Sequence, residues 1–131
     1  MSKFTRAELA YLCSQQMGRL ATVNERGEPQ NTAVIFRYNA ELDTVDIDGY
    51  DLELFRNIIH TGLASLLVDD ILPPGKMSSL EIRGHAQVLP EAGQPLRTIT
   101  GSALIRLTPT RILFWDESSN PPTHSRRNVQ R

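Results

Sequence analysis

Hydrophobic and polar positions alternate with period two over much of this chain and recur at helical spacing in two short stretches. From Ser79 to Leu89, Leu80, Ile82, Gly84, Ala86 and Val88 fall on one side and Glu81, Arg83, His85 and Gln87 on the other, the pattern of a strand with one buried face. Thr44-Val45-Asp46-Ile47-Asp48 alternates likewise after the apolar run Ala33-Val34-Ile35-Phe36, and Asn39 and Asp43 bound the turn between them, which predicts a hairpin. Arg19 to Asn24 reads as a short strand, Asn24-Glu25-Arg26-Gly27 as a turn, and a further strand starts near Gln30. Leu63 to Val68 is almost continuously apolar, as expected of a central strand covered on both faces. Ala103 to Leu107 and Arg111 to Trp115 are expected as strands on either side of Pro109, which suits a kink or crossing point.

Two helices interrupt the strands. Thr5 and Glu8 have capping-box spacing, Leu9, Leu12, Cys13 and Met17 follow at helical intervals, and Gly18 provides a stop, so Cys13 is expected as a small buried hydrophobe. Asp51 can cap a second helix whose apolar face is Leu52, Phe55, Ile58 and Ile59, with Gly62 at its end and His60 favoured by the dipole in its last turn. Pro73-Pro74-Gly75 must be a surface connection, and Pro90 to Gly101 a polar loop. Residues 116–131, with Arg126, Arg127 and Arg131 and almost no apolar content, read as a polar tail or arm.

Six or seven closely spaced strands with one leading and one inserted helix predict a mainly β (α+β) fold, an antiparallel barrel plugged by its helices. At 131 residues this is one domain, 1–131, large enough for its own core. A net charge of -1 gives no reason to expect nucleic acid or an anionic membrane as partner. The sequence offers no signal-peptide pattern and no run of 18 apolar residues, which leads to an expected cytoplasmic location, and the single cysteine fits a reducing compartment. His60, His85 and His124 have no second ligand at metal spacing, and no nucleophile turn accompanies them, so neither a metal site nor a triad is expected and no catalytic acid or base stands out.

The segments GRLATV (18–23), AVIFRYNAELDTVDI (33–47), FRN (55–57), LLVDD (66–70) with its following double proline, and EIRGHA (81–86) carry a further signal. In that order and spacing they resemble the pyridoxamine 5'-phosphate oxidase-like split-barrel family, in particular its actinobacterial deazaflavin- and flavin-dependent oxidoreductases. The resemblance runs from Thr5 to Trp115. It implies an FMN-binding type of split β-barrel of about six antiparallel strands, forming a homodimer with cofactor grooves at the subunit interface. The ring of deazaflavin or FMN would lie against the strand carrying Val34, Ile35 and Phe36, and its phosphate near the start of the helix after Gly49. On that reading Leu52, Leu54, Arg56 and Asn57 of the helix, with Gly75 and Lys76 after the double proline, complete the cofactor-binding set. The chemistry would be hydride transfer to a small conjugated or heterocyclic substrate, carried by the cofactor.

Several residues depart from the family pattern. Where relatives supply Ser or Thr and one or two Lys or Arg as a phosphate clamp, this chain reads Asp51-Leu52-Glu53-Leu54, so like charge meets the phosphate at the helix start. Gly75 replaces a frequent Trp and Ala33 a frequent Pro. Arg56 and Asn57 either reach the pocket or tie the helix to the barrel. Arg37 either meets a phosphate or pairs with a carboxylate such as Glu41, and Lys76 either restores lost charge or is simply solvated. Trp115 is expected at the barrel-end core rather than at the interface near the pocket. Two functions therefore stand: an oxidoreductase using reduced deazaflavin or FMN, or a cofactor-free barrel whose vacated groove binds or transforms a hydrophobic natural product. A purely structural module is the weakest, since no apolar patch or coiled-coil face is apparent.

Overall fold

The computed structural model describes residues 1–90 and 102–130. The chain runs α1 (Arg6–Cys13), β1 (Met17–Val23), β2 (Pro29–Asn39), β3 (Thr44–Gly49), α2 (Leu52–Thr61), β4 (Leu63–Leu72), β5 (Lys76–Leu89), β6 (Ala103–Asp116) and β7 (Thr123–Asn128). The strands form one antiparallel sheet in the order β3-β2-β1-β4-β5-β6-β7, and β3 also pairs with β6. That extra pairing closes β1 to β6 into a six-stranded barrel, as the split-barrel resemblance implies, with β7 added outside the closure. β6 serves two neighbours in turn: Ala103 to Leu107 pair with β3, and Arg111 to Asp116 pair with β7.

Alternation does what the hydrophobic pattern demands. Leu80, Ile82, Ala86 and Val88 of β5 face inward and are buried with Leu20, Val45, Ile47, Leu66, Ile105 and Ile112. Each fully buried aliphatic side chain contributes about 1.5–3 kcal/mol, which makes this interior the main reason the barrel closes. Gly84 is required by close approach, since a Cβ there would sit 2.0 Å from the Thr108 carbonyl oxygen. The register slips by one residue at that point, between Arg83 and Gly84, so the kink expected at Pro109 is a bulge within one continuous strand.

The helix ends behave as their sequences predict. Thr5 and Glu8 form a reciprocal capping box on α1, Asp51 caps α2, and Gly62 ends α2 at φ 70°. Other expectations need correction. α1 stops at Ser14, which caps it, and Gly18 lies inside β1, where its missing side chain lets the Leu67 carbonyl approach. Cys13 is exposed, because the short helix buries only Glu8 and Leu12. α2 is turned so that Leu54, Phe55, Asn57 and Ile58 are buried, leaving Leu52 and Ile59 in solvent. Asn57 explains the rotation: its amide donates to Thr22 Oγ1 at 3.1 Å and Gln30 Oε1 at 2.7 Å, fastening this face to β1 and β2. β4 is covered on one face only, with Leu63 exposed and Leu67 half-buried. The polar stretch read as a tail or arm contains β7. The loop expected at Pro90 to Gly101 lies, beyond Pro90, outside the described residues. Among the described residues no helix is long and apolar enough to cross a membrane.

Candidate functional site

The residues that the family resemblance brings forward fall in three places on the chain. On β2, Val34 and Phe36 point into the core, while Ile35 between them is 60% exposed and opens onto a 470 Å³ hollow shared with Cys13, Gln16 and Arg37. On α2, Leu54 is 0% exposed and belongs to the core, so it lines no groove. Asn57 is spent on its two hydrogen bonds, Leu52 is exposed, and Arg56 is exposed with no hydrogen bond or ion pair among the described residues. Gly75 and Lys76 lie at the β4–β5 turn, which the ten residues of β4 place at the far end of that strand from Gly62, about 30 Å away.

The start of α2 does not fit a phosphate. Asp51 Oδ1 accepts the Glu53 N–H at 2.9 Å, taking a donor that would otherwise meet an anion, and Glu53 adds negative charge in the first turn. The adjoining 330 Å³ hollow is lined by Asp48, Tyr50, Leu89, Pro90, Ser102, Ala103 and Leu104, with an acid and no base among them. Arg37 does not reach in, because Asp48 takes its guanidinium at 3.1 Å; that carboxylate is its partner, not Glu41.

A different surface has the make-up of a ligand site. On the outer face of β4 to β7, strand register stacks two rows: Leu67, Glu81, Leu113 and Arg126 in one, and Asp69, Ser79, Trp115 and His124 in the next. Four strands at about 4.8 Å spacing make a floor roughly 15 Å across. Over it lies a 530 Å³ groove, within the range of small-molecule sites, which Met77 also lines. Trp115 is 38% exposed, not core, and its ring stacks on His124 with centroids 3.5 Å apart and planes 17° from parallel. The pair presents an aromatic shelf on which a planar ligand can stack.

The charges around the shelf are ordered. Glu81 is held below its ordinary range, first by the Arg83 guanidinium at 2.7 Å and further by the Ser65 hydroxyl, against the effect of its burial. On the rim, the Met77 N–H and then the Trp115 indole hold the Glu117 carboxyl low, with His124 and Lys76 adding attraction. Arg126, which lines the groove, makes no hydrogen bond or ion pair among the described residues, which leaves this cation available to a ligand, whereas Lys76 is outside the lining and acts on Glu117. Among the described residues no group of three His, Cys, Asp or Glu could hold a metal. Sequence reasoning passed over this groove because Trp115 and His124 meet only through the β6–β7 register; the signal was the alternation of Thr123 to Asn128, hidden by its lack of apolar residues.

The family model for pyridoxamine 5'-phosphate oxidase matches residues 4–116. A 5a,11a-dehydrotetracycline/5a,11a-dehydrooxytetracycline reductase of Streptomyces rimosus is 38% identical over 117 residues, covering 86% of this chain and 82% of that protein. Among solved structures, a conserved hypothetical protein from Mycobacterium tuberculosis gives a TM-score of 0.72 at 17% identity, covering 93% of this chain and 91% of that one. A pyridoxamine 5'-phosphate oxidase-related, FMN binding protein from Nostoc punctiforme gives 0.68 at 12% identity, covering 96% of each chain.

Proposed function

The chain belongs to the pyridoxamine 5'-phosphate oxidase family, and from that premise we propose that it is a reductase acting on a planar, conjugated polycyclic substrate of the dehydrotetracycline kind. The observation that carries this reading is the Trp115–His124 shelf with Arg126 beside it, in a groove large enough for such a ring system. A reduced deazaflavin or FMN, when bound, supplies the hydride. The aromatic and cationic groove fits the ring end of such a cofactor, whereas the start of α2 fits no phosphate.

The protein's own contribution is binding, orientation and charge. Trp115 and His124 hold a flat ring by stacking, and Arg126 balances the negative charge of an enolised or phenolic substrate. Leu67, Met77 and Leu113 give the floor its apolar character. We further propose that the protein works as a homodimer in the cytoplasm, two copies meeting over the outer face of the barrel. Exposed Met17, Ile35, Ile71 and Met77 gather on that face, as at surfaces that seek a partner.

The test is anaerobic incubation of the protein with 5a,11a-dehydrooxytetracycline and either reduced deazaflavin or reduced FMN. The expected result is a product heavier by two hydrogens with at least one donor. A second reading, a cofactor-free barrel that binds a hydrophobic natural product, is favoured by the acidic, self-capped start of α2. Turnover with neither donor, combined with saturable binding of the polycycle, would replace the first reading by the second.

A further inference from the structure

We propose that Arg127 is a positioning residue for the groove, clamping β7 to α1 and thereby holding His124 and Arg126 beside Trp115 and Leu113. The proposal rests on the groove being the binding site. β7 reads THSRRN and has no apolar side chain to bury, so hydrophobic packing within the strand does not retain it. Val129 just beyond it packs partly against the core, and the Asn128 carboxamide accepts from Arg111 at 2.8 Å at the surface.

Register decides which way each β7 side chain points. His124 and Arg126 oppose Trp115 and Leu113 on the outer face, while Arg127 opposes fully buried Ile112 and so turns inward. There its guanidinium forks onto Glu8: Nη1 donates to Oε2, and Nη2 donates to Oε1 at 2.7 Å and to the Lys3 carbonyl at 2.6 Å. Glu8 is 0% exposed, and the same Oε1 accepts the Thr5 N–H at 2.8 Å in the α1 capping box. One buried carboxylate thus joins the first helix to the last strand.

Arginine suits this task because its planar fork satisfies both carboxylate oxygens and a carbonyl together, which an ammonium cannot do in one geometry. The barrel closure through β3 and β6 does not involve β7, so the clamp acts on the groove wall and not on the ring of strands. A change at Arg127 reaches the ligand only through the placement of His124 and Arg126.

Trp115 is the one tryptophan of the chain, so its fluorescence reads the stack on His124 without any ligand. Arg127→Gln, Arg127→Lys and Glu8→Gln are compared with the wild type by acrylamide quenching and by KM and kcat for 5a,11a-dehydrooxytetracycline. Arg127→Gln is expected to raise the quenching constant about twofold and KM about tenfold with kcat within about twofold, and Arg127→Lys to recover part of both. Unchanged quenching in a folded Arg127→Gln protein overturns the clamp; altered quenching with unchanged KM overturns its role in positioning. Where Arg127→Gln does not fold, Glu8→Gln, which retains a capping acceptor, is read by the same two outcomes. A wild type that turns over nothing is the separate failure of the reductase reading and leaves the quenching comparison standing.

Discussion

The start of α2 and the groove over β4 to β7 are both surfaces where a flavin-like ligand could be sought, yet their chemistry is opposite. At the helix start an acid caps the free N–H groups, a second acid follows, and Arg37 is paired to Asp48. In the groove the acid Glu81 is paired to Arg83, Arg126 makes no hydrogen bond or ion pair among the described residues, and the Trp115–His124 stack lies at the surface. A helix N-terminus attracts anions only while its donors are free. What a surface can bind is decided by the groups left over once the protein's own hydrogen bonds are made.

The scaffold common to both regions is the β3–β6 seam, and breaking it has the largest expected effect. Asp46 is 5% exposed and accepts a bidentate pair from Arg106 at 3.0 and 3.1 Å. Arg106→Ala leaves that carboxylate buried without its countercharge, held only by Asn39 and Thr44, at a cost of about 3 kcal/mol measurable by urea unfolding. Burial pushes the Asp46 carboxyl up, but Arg106, Asn39 and Thr44 outweigh it and hold it below its ordinary value. A depressed folded pKa gives stability that is present above the unfolded value and lost as pH falls through the folded one. The wild type therefore weakens below about pH 4, and Arg106→Ala loses part of that acid dependence.

Next in size is the groove itself. Trp115→Ala removes the stacking face and is expected to raise KM for the polycyclic substrate about tenfold while changing thermal stability by only a few degrees, since the ring is partly in solvent. Steady-state kinetics beside a melting curve separate the two effects. An unchanged KM would move binding away from the shelf.

The helix start should matter least to binding. Asp51→Ala loses a cap worth about 1 kcal/mol and lowers the melting temperature accordingly, with KM within about twofold. A tenfold change in KM would return the site to α2 and dissolve the contrast between the two regions.

These outcomes bear on how far the residues could be read in advance. The alternation of Ser79 to Leu89, the Thr5–Glu8 capping box and the αL end at Gly62 were legible because each depends on neighbours close in sequence. The face of α2 was misread because Asn57, polar and yet buried, follows partners on β1 and β2 that no helical periodicity reveals. β7 escaped notice because the buried carboxylate it grips, Glu8, lies at the opposite end of the chain. The candidate site suffered most, since Trp115 and His124 become neighbours only through pairing of β6 with β7.

The most direct test of the central claim is a fluorescence titration of Trp115 with oxidised FMN, oxidised deazaflavin and 5a,11a-dehydrooxytetracycline. Saturable quenching by the polycycle and by at least one cofactor, with Kd in the micromolar range and loss of both responses in a folded Arg126→Glu/His124→Ala protein, is the predicted result. Binding of these ligands by equilibrium dialysis with no response from Trp115 would contradict it, because the ligand would then occupy some other part of the barrel.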